Sequence, residues 1–125
     1  NKVKKKKLEK FIHKEVRISR DHFIKEHKKQ KKKIIFFDIP LLFEAKLTHI
    51  CDYIILLYAP KKIKIERALK RKNINKKDIN RILKSQIGDK IKKKKSDYII
   101  NTSKQKKHSF KMILEAISNI LEQNA

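Results

Sequence analysis

The sequence predicts an α/β fold built on a parallel sheet with flanking helices. Residues 34–38, 53–58 and 97–101 are short apolar runs of strand length, the pattern of strands buried on both faces. The segments around them carry apolar residues at helical spacing. Strands that alternate with helices point to a parallel sheet joined by right-handed crossovers.

Residues 4–30 read as a helix, because Leu8, Phe11, Ile12, Val16 and Phe23 recur at roughly helical spacing with no Gly or Pro between them. The lysine-rich tract 28–33 ends it, and strand 34–38 follows. A turn through Pro40 leads to a short helical passage near 42–50, then strand 53–58. Pro60 starts a helix through about Lys72. Asn75, with Asp78 three positions later, resembles a capped helix start, so a further helix runs to about Gln86. Gly88, the single glycine, is placed as its stop. A lysine-rich helix over 89–95 precedes strand 97–101. In the last helix Phe110, Ile113, Leu114, Ile117, Ile120 and Leu121 share one face. No internal repeat is present.

Composition narrows the function. No apolar run approaches the ~20 residues that span a bilayer, and the first 33 residues are too charged for a signal peptide. Cys51 is the single cysteine, which fits a reducing compartment, so a cytoplasmic protein is expected. The five histidines, at 13, 22, 27, 49 and 108, show no zinc-site spacing with Cys51, and no metal ligand is assigned.

The net charge of +23 raises a nucleic-acid reading. However, lysine outnumbers arginine 31 to 5 and isoleucine outnumbers valine 21 to 2, the skew of an A- and T-rich coding sequence. Much of the charge then reads as compositional drift on solvated faces. Single-strand binders interleave aromatics with basic residues for stacking. Here Phe36, Phe37, Phe43, Tyr53, Tyr58 and Tyr98 lie in or beside the apolar strands, so core packing is their expected role. Residues 1–33 carry net +11 and residues 61–96 net +13, which brackets the strand pair with basic segments.

The most specific stretch is Asp38-Ile39-Pro40-Leu41-Leu42-Phe43-Glu44, which closes the first strand. Around it stand Leu8, His13, Val16 and Arg17 upstream. Downstream come Cys51-Asp52, Ala59-Pro60, Arg67, Arg71, Arg81, Gln86 and Ser96-Asp97-Tyr98-Ile99-Ile100-Asn101. In this order and spacing, residues 7–103 resemble the C-terminal two thirds of a dephospho-CoA kinase. Three positions depart from that pattern: Lys14 replaces a usual proline, Lys64 a glutamine and Lys104 a glycine.

The resemblance implies a P-loop, nucleoside-monophosphate-kinase-like sheet, incomplete because its first strands and phosphate loop are missing. It implies transfer of the ATP γ-phosphate to the 3′-hydroxyl of dephospho-CoA, with Mg²⁺ in the complete enzyme. It divides the chain into a substrate-side helix (1–33), core strands (34–60), a lid region (61–96) and a last strand with the C-terminal helix (97–125). The expected partners are ATP and dephospho-CoA, with the protein a monomer and neither a membrane nor nucleic acid involved. A chain with one glycine cannot contain a Gly-x-x-x-x-Gly-Lys loop, so these residues alone are expected to be inactive.

Arginine retained in a lysine-biased chain points to a need for its planar fork of donors. Arg67 and Arg71, four apart on one predicted helix, share a face. The resemblance puts both at the nucleotide, with Arg71 also the catalytic candidate. The alternative is surface pairing with Glu66 or Asp78. Arg81 falls in the lid helix, where surface placement is equally open. Asn101 and Thr102 follow the last strand, at the family's adenine loop or in an ordinary turn. His13, Arg17, Pro40 and Glu44 are the acceptor-side candidates, though Glu44 could instead cap the following turn. Asp38 is a metal-shell or structural candidate; the general base is expected upstream. The rival readings are a basic RNA-binding module and another nucleotide kinase of the same fold.

The same resemblance places a strand between 34–38 and 53–58 that this chain does not supply. Loose packing of the isolated chain is therefore expected.

Overall fold

A computed structural model describes residues 1–125. Its elements are α1 (Lys2–Lys29), a 3₁₀ turn (Thr48–Ile50), β1 (Ile55–Tyr58), α2 (Lys61–Leu69), α3 (Lys76–Ser85), α4 (Asp89–Lys94), β2 (Tyr98–Asn101) and α5 (Lys106–Gln123). They fall into two compact units, Asn1–Asp38 and Ile39–Ala125.

The first unit is α1 and the segment that follows it to Asp38. Asn1 Oδ1 accepts from the Val3 N–H at 3.0 Å and caps the helix. At the other end, the Lys31 N–H bonds to the Lys28 carbonyl and the Lys32 N–H to the His27 carbonyl. Lys31 sits at φ 54°, so this is a Schellman closure with lysine in the left-handed position that glycine favours. None of the 28 residues of α1 is buried. Phe37 meets Phe23 edge to face, with ring centroids 5.9 Å apart.

The expected strand 34–38 is not a strand. Its backbone belongs to no ladder, because a strand exists only through a hydrogen-bonded neighbour and none pairs with it. Phe36, expected in the core, is 61% exposed.

The second unit holds the sheet. β1 and β2 pair in parallel, with Ile55 opposite Tyr98 and Tyr58 opposite Asn101. Asp97 fixes the start of this register: its Oδ2 accepts from the Ile54 N–H at 2.7 Å. The core is Phe43, Ala59, Ile79, Ile100 and Ala116. α5 packs on β2; Ala116 is buried and Ile113, Ile117 and Ile120 are half-buried, whereas Phe110, Leu114 and Leu121 on the expected apolar face are exposed.

Three further expectations change. Residues 42–50 are not one helical passage. The turn 41–47 is closed by the Lys46 N–H to Phe43 and the Leu47 N–H to Leu42, with Lys46 at φ 56°, and the 3₁₀ turn follows. Gly88 does not stop α3. With φ −62° it is the N-cap of α4, and α3 ends at Ser85 as Gln86 becomes extended. α2 ends at Leu69, so Arg71 lies beyond it and the shared Arg67–Arg71 helix face does not exist. The start of α3 agrees with the sequence: Asn75 Oδ1 accepts from the Asp78 N–H at 2.9 Å.

Candidate functional site

The parallel strands deliver Tyr58 and Asn101 side by side at their carboxyl ends, the edge where open α/β sheets hold ligands. Thr102 ties the two strand ends together. Its N–H donates to the Tyr58 carbonyl at 2.7 Å and its hydroxyl to the same oxygen at 3.2 Å. Asn101 Oδ1 accepts from the Ser103 N–H at 2.9 Å and the Ser103 hydroxyl at 2.6 Å, an Asx turn that bends the chain away from the sheet.

Arg67 reaches this corner from α2. Its Nη1 donates to Thr102 Oγ1 at 3.1 Å and its Nη2 donates to the Thr102 carbonyl oxygen. The structure therefore brings together two residues named from sequence, Arg67 and Thr102. It gives Arg67 a structural task, since the fork is spent on a loop. Arg71 is exposed in the α2–α3 connection, with no side-chain hydrogen bond or ion pair. Arg81 bonds Asp78 at 2.8 Å with its side chain 79% exposed, the surface placement left open above.

Lysines complete the strand end. Lys93 Nζ stands 3.6 Å from the centroid of the Tyr58 ring and Lys64 Nζ stands 5.8 Å from it. Each such contact contributes about 0.5–2 kcal/mol according to how dry it is. Lys64 is held by both carboxylate oxygens of Asp89, at 2.6 and 2.8 Å. Lys64 was a departure from the family pattern in the sequence, and here it has a specific acidic partner 25 residues on. Lys93 and Asp89 were not singled out from sequence. Their only signal was membership of the lysine-rich run after Gly88.

Glu44 lies elsewhere in the second unit. Oε1 accepts from the Ile87 N–H at 3.0 Å and from Lys92 Nζ at 2.7 Å. Burial pushes its carboxyl pKa up. The hydrogen bonds from Lys92, from its own backbone N–H and from the Ile87 N–H, with the Lys92 charge, outweigh that and hold it below the ordinary glutamate value. The folded pKa is thus depressed. The stabilisation is complete above the unfolded pKa and is lost as pH falls through the lowered value.

Pro40 is exposed, and Leu41 after it adopts φ 57°, a left-handed conformation uncommon for a bulky residue. His13 and Arg17 are exposed on α1, in the first unit, and Asp38 is exposed at the end of that unit. No group of three or more His, Cys, Asp or Glu side chains is placed to hold a metal ion. No helix is long and apolar enough to cross a membrane.

Two parallel strands with arginine, threonine and lysine at their carboxyl ends define an α/β protein of the class that places its ligands at strand ends. The comparisons make the class specific. A family model for dephospho-CoA kinase matches residues 1–108. The dephospho-CoA kinase of Bartonella quintana is 37% identical over 115 residues, 92% of this chain and 59% of that protein. That of Wolbachia pipientis is 31% identical over 115 residues, 92% of this chain and 58% of that protein. The solved structure of the dephospho-CoA kinase from Campylobacter jejuni matches at TM-score 0.69 and 29% identity, over 100% of this chain and 62% of that one. The chain belongs to the dephospho-CoA kinase family. It spans 58–59% of the length of these two curated relatives.

Proposed function

We propose that this chain forms the acceptor-side and lid portions of a dephospho-CoA kinase, which moves the ATP γ-phosphate to the 3′-hydroxyl of dephospho-CoA. The observation that carries the reading is the strand-end corner, where Arg67 from the lid segment is locked onto Thr102 beside Tyr58. That corner lies within the segment matched by the family model. Phosphoryl transfer depends on positioning and charge neutralisation. In this reading Arg67 fixes the α2 helix against the strand ends, and the unpaired Arg71 is the arginine free to meet a phosphate. Asn101 and Thr102 form the floor on the nucleotide side. Pro40, His13 and Arg17 are assigned to the acceptor.

The glycine-rich loop and its lysine are not among these residues, so the chain by itself is proposed to be inactive. Mg²⁺ is expected in the complete enzyme, where one or two carboxylates hold it together with water and the substrate phosphates. A monomeric, cytoplasmic protein completes the reading.

The test uses a chimera, this chain joined behind a strand and glycine-rich loop of the family's pattern. Arg71→Lys keeps the charge and loses the fork. We expect it to lower turnover about a hundredfold or more, the scale of losing a transition-state donor. Single changes of Lys94 or Lys95 to Met are expected to cost less. Wild-type turnover in Arg71→Lys, with the lysine variants crippled, would reverse this ranking of the cations.

A further inference from the structure

We infer that Glu44 is a positioning residue: its carboxylate clasps the joint between α3 and α4 to the turn 41–47, and so sets where α4 presents its lysines at the carboxyl end of β1. Its sequence context suggests an acceptor contact or a cap on the following turn; the clasp is a further role, read from its partners Ile87 and Lys92.

α4 has 6 residues, four of them lysine, and none is buried. A helix that short has no stability of its own. Its place is decided by side-chain ties, and three are present. Asp89 holds Lys64, with both side chains about a third exposed. Lys93 lies on the Tyr58 ring. Lys92 meets Glu44, and this pair is the driest, with side chains 15% and 17% exposed. Partly exposed ion pairs are weak, whereas a charge-assisted hydrogen bond shielded from water is among the stronger single contacts.

Glu44 also takes the Ile87 N–H, immediately before the Gly88 N-cap, so one oxygen holds both the approach to α4 and its middle. Its other oxygen, Oε2, is buried without a hydrogen-bond partner, which leaves Lys92 as the cation that answers the charge. At the opposite end of the clasp the backbone is fixed. Phe43 is in the core, and the turn is closed by two backbone bonds with Lys46 left-handed. A rigid turn thus grips a helix that cannot hold itself. A displacement of the turn would move Lys93 relative to Tyr58. That the turn belongs to the acceptor side and α4 to the lid rests on the proposed function. The clasp does not, and its test needs no phosphoryl transfer.

Hydrogen exchange of the intact chain tests it, comparing wild type with Glu44→Gln, Lys92→Met and the double variant. Glutamine can still accept from Ile87 but cannot answer the Lys92 charge. Each single variant is expected to speed exchange over 87–95 about tenfold, the order expected from losing one charge-assisted bond, with β1 and β2 unchanged. The double variant is expected to be no faster than the singles, because both remove one interaction. The Tyr58 ring resonances are expected to move in all three as Lys93 leaves the ring. Unchanged exchange over 87–95, equal acceleration of β1 and β2, fully additive effects or a still Tyr58 ring would each overturn the assignment.

Discussion

Purified residues 1–125, freed of host enzymes, are expected to show no ATP-dependent phosphorylation of dephospho-CoA above the uncatalysed rate. In P-loop enzymes a glycine-rich loop wraps the phosphates in backbone N–H groups, and its lysine neutralises them. Here the one glycine is Gly88, whose φ is negative and whose task is to start α4. The cations at the strand ends do not replace the loop. Arg67 is engaged with Thr102, Lys64 with Asp89, and Lys93 with the Tyr58 ring. Arg71 is free, but one exposed guanidinium cannot supply the ordered donors that phosphoryl transfer needs. Measurable turnover by this chain would show that another group does the work of the loop. Steep salt dependence of RNA binding, without preference for ATP or dephospho-CoA, would instead favour the basic-module rival.

The second large effect concerns folding. The isolated chain is expected to unfold without one sharp transition, and to bind a hydrophobic dye before it does so. The core consists of five residues, all in Ile39–Ala125. By contrast α1 buries nothing, and Leu8, Phe11, Ile12, Val16, Ile18 and Phe23 on it are all at least 43% exposed. A lysine-rich helix without tertiary packing is marginal in water. Residues 34–38 belong to no ladder that would hold them. Amides of β1, β2 and α5 should therefore be the most protected, with α1 exchanging near the rate of an isolated helix. One cooperative transition with α1 as protected as the sheet would contradict this.

Much of the second unit was legible in the sequence, because its signals are local. The Asn75 cap, the apolar runs of β1 and β2 and the start of α2 after Pro60 each depend on a few adjacent residues. Residues 34–38 failed for the opposite reason. Apolar composition makes a segment able to be a strand, but a partner makes it one, and pairing is not written in the segment. Gly88 was misplaced because glycine suits both a helix stop and a helix start, and only φ separates them. In the candidate site, Arg67 and Thr102 were identifiable individually. Their mutual bond, 35 residues apart, was not. The same holds for Glu44, whose partners Ile87 and Lys92 lie 43 and 48 residues on and look like any others in a lysine-rich run.

We propose that these residues form the acceptor and lid portions of a dephospho-CoA kinase. The most direct test is to join the chain behind a strand and glycine-rich loop of the family's pattern. Transfer of labelled γ-phosphate to dephospho-CoA and to AMP is then measured side by side. Turnover is expected to appear with dephospho-CoA, with AMP a poor acceptor and residues 1–125 alone silent. A chimera that unfolds cooperatively yet transfers phosphate to neither acceptor, or to AMP as readily as to dephospho-CoA, would contradict it.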